Sequence, residues 1–283
     1  MNTSAWTNSA GNSAPAHRGW LAISRQRAFL THLAASALIV GVACSLIFFL
    51  WYPYPYFQAA GAWNVLRVLI GVDLVLGPLL TVVVFKPGKR GLKLDLAIIA
   101  VVQLAALVYG LTIIYRERPY FTVFAVDRFF VLARHDIDST ELAIAESEGR
   151  IDVKPLRGPV LTVASRPTDE AQRQKLLDDT IFGGKPDIER RPEFWRRFAD
   201  EAQQVIDRQR PLSALRAARP DAADAIARLT AKHGVAEDRI GFLPLTAKNR
   251  DLTFVIDATT GAPLDVIDVD PWIDVAPTDG AAR

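Results

Sequence analysis

Long runs of apolar residues dominate the first part of the chain. No Lys, Arg, Asp or Glu occurs between residues 28 and 66. A helix of about 20 apolar residues is long enough to cross the hydrocarbon core of a bilayer. The pattern therefore predicts three transmembrane α-helices, over residues 29–51, 64–85 and 95–115.

After residue 119 the apolar positions follow the shorter periodicities of a water-soluble domain. Segment 120–134 is rich in Val and Phe, which favours one or two strands, and segment 158–167, "GPVLTVASRP", also predicts a strand. Apolar segments on both sides of the sequence "DATTGA" predict a β-hairpin over residues 252–269. Helical spacing is found in residues 169–184, 192–208 and 221–233. Strands and helices in this order predict an α+β domain.

These patterns divide the chain into three parts. Residues 1–26 are rich in Ser, Ala and Asn, and we interpret them as a disordered cytoplasmic leader or as an over-extended start. Residues 27–118 form a three-helix transmembrane domain, and residues 119–283 form a periplasmic α+β domain. The predicted fold class is a membrane protein with three transmembrane helices, its N-terminus inside, followed by this periplasmic domain.

Charge predicts the orientation in the membrane. Residues 1–118 carry a net charge of +7, whereas residues 119–283 carry −5. Arginines precede the first span, and the loop between the second and third spans contains Lys86, Lys89, Arg90 and Lys93. The uncharged, aromatic segment 51–64 is typical of the opposite interface. Positive charge favours the cytoplasmic side, so the basic loop lies inside and the C-terminal domain outside.

An acidic residue interrupts the second apolar run at Asp73. A carboxylate inside a bilayer requires a polar partner. Counting about 1.5 Å per residue from the inner ends of the spans places Asp73 about 18 Å deep, Tyr109 about 21 Å and Gln103 about 12 Å. Tyr109 is therefore the predicted partner, and Gln103 is within reach only if the helices are offset. Asp73 either fixes helix packing or contacts a polar group of a partner protein in the membrane.

A helix-breaking pair, Gly77 and Pro78, follows Asp73 closely. Pro78 has no N–H for the carbonyl of Leu74, and Gly77 permits the close approach of another helix. The pair predicts a kink, which would splay the second helix around Asp73. The alternative is that a membrane helix simply tolerates Gly-Pro here.

Catalytic and metal-binding patterns are lacking in the sequence. The single cysteine, Cys44, lies in the first predicted span, and no motif of a hydrolase, a metalloprotease or a nucleotide-binding enzyme is present. Asp265, Asp268 and Asp270 are better explained as a solvated strand face than as a cation site. We expect no catalytic residue, no metal and no cofactor.

Basic residues have two possible roles in this chain. Those in the first part flank the predicted spans and contact membrane lipid, so we expect no nucleic-acid partner. A second group lies in the soluble part, where it either meets an acidic partner or forms a solvated face: Arg190, Arg191, Arg196 and Arg197.

Several long segments resemble one known family. The segments "RAFLTHL", "DLVLGPLLTVVVFKPGKRGLKLDLAIIAVVQLAALVYG" and "RPYFTVFAVDRF" are similar to the TfpX/TfpZ type IV pilin accessory proteins over residues 26–130. The closing segment "FLPLTAKNRDLTFVIDATTGAPLDVIDVDPW" also resembles that family, whereas residues 140–235 align loosely. The resemblance supplies no established catalytic or binding residues.

The resemblance implies a non-enzymatic inner-membrane protein whose partner is a type IV pilin and, by extension, the pilus assembly machinery. Such a protein would modulate pilin stability, assembly or pilus dynamics. The alternatives are a membrane-anchored periplasmic protein that senses a ligand or couples a signal, and a membrane enzyme that modifies pilin. The few residues predicted inside leave no output domain for a sensor, and no acidic or histidine cluster supports an enzyme.

Overall fold

Three long apolar helices form the first part of the computed structural model, which describes residues 24–87, 89–151 and 159–273. Helix α1 spans Arg25–Trp51, α3 spans Trp63–Val84 and α4 spans Leu92–Arg116, each long and apolar enough to cross a membrane. A short helix α2, Tyr56–Ala59, lies between α1 and α3. The three predicted spans are confirmed. Most of the predicted leader, residues 1–23, lies outside the described residues.

A mixed α+β domain with an eight-stranded sheet follows the membrane helices, as predicted. Its strands are β1 Phe121–Ala125, β2 Arg128–Leu132, β3 Val160–Ala164, β4 Trp195–Arg197, β5 Arg210–Pro211, β6 Ile240–Thr246, β7 Leu252–Asp257 and β8 Pro263–Ile267. Its α-helices are α5 Ser139–Ser147, α6 Glu170–Ile181, α7 Ala202–Ile206, α8 Leu212–Ala218 and α9 Ala223–His233.

The strand order is β4-β3-β1-β2-β6-β7-β8, with β5 also paired to β6. Neighbouring strands are antiparallel except for β1 with β3 and β2 with β6, which are parallel. Side chains of β1, β2, β3, β6 and β7 fill the core on both faces of the sheet. The predicted terminal hairpin is confirmed as β7 and β8, joined by a loop in which Gly261 adopts a φ of 69°.

One predicted helix is wrong. Residues 192–208 were expected to form an amphipathic helix, but their first half contains β4 between two 3-10 turns, and only Ala202–Ile206 is α-helical. Trp195 pairs with Ala164 of β3, is fully buried, and packs its ring edge-on against Phe121 at 4.9 Å between centroids. Burial of this large ring as the first residue of an edge strand outweighs the local helical spacing.

The segment between the first two membrane helices is part of the soluble core. Tyr56 and Ala59 of α2 are buried in the cluster that contains Phe124, Phe129 and Phe254 of the sheet. The Tyr56 hydroxyl lies 3.5 Å from the Thr122 hydroxyl of β1. Burial raises the pKa of Tyr56 to about 12. The aromatic segment therefore does more than lie at the membrane interface, because one of its rings fills the sheet's core.

Hydrogen bonds hold α2 against the turn between β6 and β7. The backbone N–H of Asn249 donates to the Ala59 carbonyl at 2.8 Å, and the Asn249 side chain donates to the Gln58 carbonyl at 3.3 Å. Arg250 donates to the Gln58 side-chain oxygen at 2.7 Å. These contacts join residues about 190 positions apart in the chain. The membrane helices and the soluble domain are therefore joined at two places, here and at the end of α4.

Replacement of Tyr56 by Ala tests this connection. The change removes a buried aromatic ring, and such truncations cost about 3–5 kcal/mol of the free energy of unfolding. We expect Tyr56→Ala to lower that free energy by a comparable amount, measured by protease resistance of the full chain in increasing urea.

The matched control is Tyr54→Ala, two residues earlier, because Tyr54 is 77 % exposed. That variant should behave like the parent protein. Equal resistance of both variants to protease would show that α2 does not contribute to the core.

Candidate intramembrane site

Helix α3 is not a regular α-helix. Its middle, Gly71–Leu76, is wound as a π-helix and lies between α-helical turns at Trp63–Ile70 and Gly77–Val84. The Gly77 N–H donates to the carbonyl of Val72, five residues earlier. With the same five-residue spacing, the backbone N–H of residue 78 would donate to the carbonyl of Asp73. Residue 78 is a proline and has no N–H, so that bond cannot form. The predicted irregularity beside Asp73 is a π-helical segment, which the expectation of a kink did not anticipate.

Gln103 of α4 supplies the missing donor. Its side-chain Nε2 lies 3.4 Å from the backbone carbonyl of Asp73 and 3.4 Å from the Asp73 Oδ1. Asp73 is 6 % exposed and Gln103 is 9 % exposed. One amide group therefore serves both the carbonyl released by Pro78 and the carboxyl group of the same residue. Because no water is available inside a bilayer, this contact stabilises α3 where its own hydrogen bonding fails.

Gly77 makes room for this contact. A Cβ atom at position 77 would lie 2.0 Å from the Gln103 Nε2 and 2.4 Å from its Cδ. The absence of a side chain at Gly77 is therefore a packing requirement. The expectation that Gly77 permits a close helix approach is met by the Gln103 side chain in particular.

The predicted partner of Asp73, Tyr109, does not contact it. Tyr109 is 70 % exposed and lies on the outer surface of the helices. The depth estimate placed the inner end of the third helix at Asp95, but α4 begins at Leu92. Gln103 is eleven residues from that end, and Asp73 is eleven residues from the end of α3 at Val84, so the two lie at the same depth.

A second polar contact links α1 to α3 and was not predicted. His32 Nδ1 lies 2.6 Å from the Thr81 hydroxyl, which donates to the Gly77 carbonyl at 3.1 Å. Thr81 is buried and lies two helical turns after Asp73, on the same face of α3. That spacing, and the pair of polar residues His32 and Ser36 one turn apart on α1, were the available signals in the sequence.

These residues line a cavity of about 800 Å³ between the three helices. Its lining includes the polar residues His32, Ser36, Asp73, Thr81 and Gln103. The basic loop between α3 and α4 also lines the cavity, through Lys89, Arg90 and Lys93. Lys89 also forms an ion pair with Asp95 at 2.6 Å.

The same end of the helices gathers further basic residues. The Arg25 Nε donates to the carbonyl of Phe85 at 3.0 Å, which joins the start of α1 to the end of α3. Lys86 follows directly. The structure thus brings the cations of two separate segments to one end of the bundle, opposite the soluble domain.

Two oxygen atoms of the site have no hydrogen-bond partner among the described residues: the Asp73 Oδ2 and the Gln103 Oε1. Buried polar atoms are normally paired, because an unpaired one costs about 1–3 kcal/mol. Both residues line the cavity, so a hydrogen-bond donor that enters it would find two acceptors. Among the described residues no group of three His, Cys, Asp or Glu is placed to hold a metal ion.

Three candidate membrane spans followed by a soluble α+β domain define a multi-pass membrane protein. Residues 21–61 match the family model described as fimbrial assembly protein FimB. A fimbrial assembly protein of Dichelobacter nodosus, serogroup I, is 33 % identical over 252 residues, which cover 85 % of this chain and 94 % of the relative. The chain therefore belongs to the fimbrial assembly protein FimB family.

Two further relatives from Dichelobacter nodosus have the same description. The fimbrial assembly protein of serogroup E1 is 34 % identical over 185 residues, 64 % of this chain and 70 % of the relative. That of serogroups C1 and C2 is 40 % identical over 117 residues, 40 % of this chain and 86 % of the relative. These descriptions name assembly of fimbriae and no enzyme activity. No solved structure matches the chain.

Gly77→Ala tests the packing of the site. The added methyl group displaces the Gln103 amide and leaves Asp73 unpaired, while the α-helical backbone at Gly77 accepts alanine. We expect a loss of about 1–2 kcal/mol, the size of an interhelical hydrogen bond in model membrane helices. The measurement is unfolding of the detergent-solubilised protein in increasing SDS.

Gly71→Ala is the matched control in the same helix. A Cβ at Gly71 meets nothing within 4 Å, so this variant should unfold like the parent protein. A loss of the same size in both variants would assign the effect to helix propensity and not to the Asp73–Gln103 contact.

Proposed function

We propose that the chain is a non-enzymatic type IV pilin accessory protein of the bacterial inner membrane, which binds the pilin subunit and modulates its stability, assembly or pilus dynamics. Membership of the fimbrial assembly family supports the general role, and the similarity of residues 26–130 to TfpX/TfpZ proteins supports the narrower one. The observation that carries the binding step is the intramembrane cavity with its two unpartnered acceptors.

The cavity suits a membrane helix that carries a polar group. Most of its lining is apolar, from Ala35 and Ile39 of α1 to Leu104 and Leu107 of α4, so it can cover an apolar helix. Asp73 and Gln103 also line it, and their unpartnered oxygens would pair with a donor on that helix. Gly77 and Pro78 hold these acceptors in place by allowing Gln103 to approach.

The basic end of the helices supports an orientation with that end in the cytoplasm. Positive residues are favoured on the cytoplasmic side of a membrane. The N-terminus and the loop 86–93 would then lie inside, and the soluble domain would lie in the periplasm. In this arrangement we divide the chain into a leader (1–26), a membrane domain (27–118) and a periplasmic domain (119–283).

Two contacts on one scaffold would strengthen binding to a pilin subunit. The membrane helices would hold the apolar stem of the subunit, and the periplasmic domain would contact its globular part. A second contact made within an existing complex gains from high effective concentration. The two connections between the helices and the sheet, at α2 and at the end of α4, would keep both surfaces at a fixed separation.

Photo-crosslinking tests whether the subunit occupies the cavity. A photoreactive phenylalanine analogue at Leu104, which lines the cavity, should crosslink to the fimbrial subunit in membranes. The same analogue at Val101, one turn away and similarly exposed but outside the cavity lining, should not. Equal crosslinking from both positions, or none from either, would contradict the proposal.

Asp73→Asn tests the role of the unpartnered oxygen. To accept the hydrogen bond from Gln103, the new amide must place its oxygen at the Oδ1 position, which puts its NH2 group where the unpartnered Oδ2 lies. The protein should remain folded but should repel a donor from the partner. We expect parental protein levels by immunoblot and fewer fimbriae by electron microscopy.

The companion measurement is a clean deletion strain. A normal number of fimbriae without this protein would overturn the proposed function. Depletion of the Asp73→Asn protein itself would instead assign the acid to helix packing.

A further inference from the structure

A second cavity lies in the soluble domain, where β3 ends. Its volume is about 640 Å³, which is within the range of small-molecule sites. The residues that follow β3, from Ser165 to Thr168, form one wall, and helix α6 contributes Gln172 and Lys175. The opposite wall comes from the region around β4, with Arg191, Arg196 and Gln204 among others.

The charged groups around this cavity are mostly positive. Four cations line it, against two carboxylates, Glu193 and Glu201: Arg166, Lys175, Arg191 and Arg196. Within the described part of the chain, Arg196 donates to the backbone carbonyls of Glu193 and Trp195 and to no carboxylate. No carboxylate among the described residues pairs with Arg166 or Lys175, both of which are exposed. The lining of the cavity therefore has an excess of positive charge.

Arg191 distinguishes this cavity from an ordinary solvated surface. Its side chain is only 3 % exposed, and two of its nitrogens are bound by carboxylates of Asp179 and Glu193. The third nitrogen, Nη1, is buried and has no partner among the described residues. A guanidinium group is a planar fork that binds carboxylate or phosphate oxygens in pairs. An oxyanion in the cavity would match that unpaired donor.

The place of this cavity in the sheet excludes a lipid headgroup as the anion. β1 begins just after α4, and its first residue, Phe121, pairs with the start of β3 at Val160. Ser165 directly follows the other end of β3, about 16 Å from Val160 along a strand with a rise of about 3.3 Å per residue. The turn that contacts α2 also lies at the start of β1 and not at this end. Lipid headgroups therefore lie near the start of β1 and β3, and the cavity lies at the other end of these strands.

We propose that this cavity is a binding site for a small oxyanion with two or more negative charges, either a polycarboxylate or a phosphate. Arg191 anchors it from the buried side, and Arg166, Lys175 and Arg196 close around it. Gln172 and the hydroxyls of Ser165 and Thr168 provide further donors. The site is separate from the proposed intramembrane contact with a fimbrial subunit, because no residue lines both cavities.

Calorimetric titration of the full chain tests the proposal. The protein is placed in nanodiscs of neutral phosphatidylcholine, and citrate and inorganic phosphate are titrated separately, which distinguishes the two kinds of oxyanion. We expect saturable binding of at least one of them. The double variant Arg166→Ala/Lys175→Ala should weaken it by about tenfold or more, as expected when charged hydrogen bonds are lost.

The matched control removes two exposed arginines outside the cavity, Arg208→Ala/Arg228→Ala, so that the net charge is the same. It should bind like the parent protein. Arg191→Lys keeps the buried charge but loses the planar fork, and it should also weaken binding. If Arg191→Lys fails to fold, the comparison of the two double variants still tests the proposal. No saturable binding of either anion, or equal binding by both double variants, would overturn the proposal.

Discussion

A polar group inside a bilayer must find its partner within the protein, and this constraint shapes the helix bundle. Pro78 removes one donor from α3, and the helix adapts by winding Gly71–Leu76 as a π-helix, which leaves the Asp73 carbonyl unmatched. Gln103 reaches across to that carbonyl and to the carboxyl group. It can do so only because residue 77 is glycine. This contact fixes how far α3 and α4 are shifted along each other. The intramembrane cavity lies between the helices in that alignment.

The outer ends of the helices are constrained in a different way. The segment between α1 and α3 is too short to reach far from the membrane, yet it supplies Tyr56 and Ala59 to the sheet's core. The end of α4 enters β1 after only a few residues, and Lys248 pairs with Glu117 at 2.8 Å beside that junction. A sheet attached to the bundle at both places cannot rotate freely. The position of the soluble domain is therefore part of the folded structure and not the result of a flexible linker.

Much of this architecture is predictable from the sequence, because it follows from periodicity. The three long apolar helices, the strands β1 to β3, the terminal hairpin and the helices α6 and α9 are confirmed, whereas β4 to β6 were not predicted. The errors arise where a contact distant in sequence outweighs a local pattern, as with Trp195 in β4 and Tyr56 in the core. The choice of Tyr109 over Gln103 failed for a smaller reason. A helix that begins three residues earlier than expected changes the depth of every residue in it by about 4.5 Å.

The two candidate sites differ in chemistry in a way that separates their roles. The intramembrane cavity is lined by residues with unpartnered acceptors and therefore favours a donor, whereas the soluble cavity offers unpaired donors and positive charge and therefore favours an anion. No single small group satisfies both. The cavities share no lining residue, and one lies among the membrane helices while the other lies in the soluble domain, so substitutions in one should act independently of substitutions in the other. A defect in the formation of fimbriae that arises from one site can therefore be assigned to it without interference from the other.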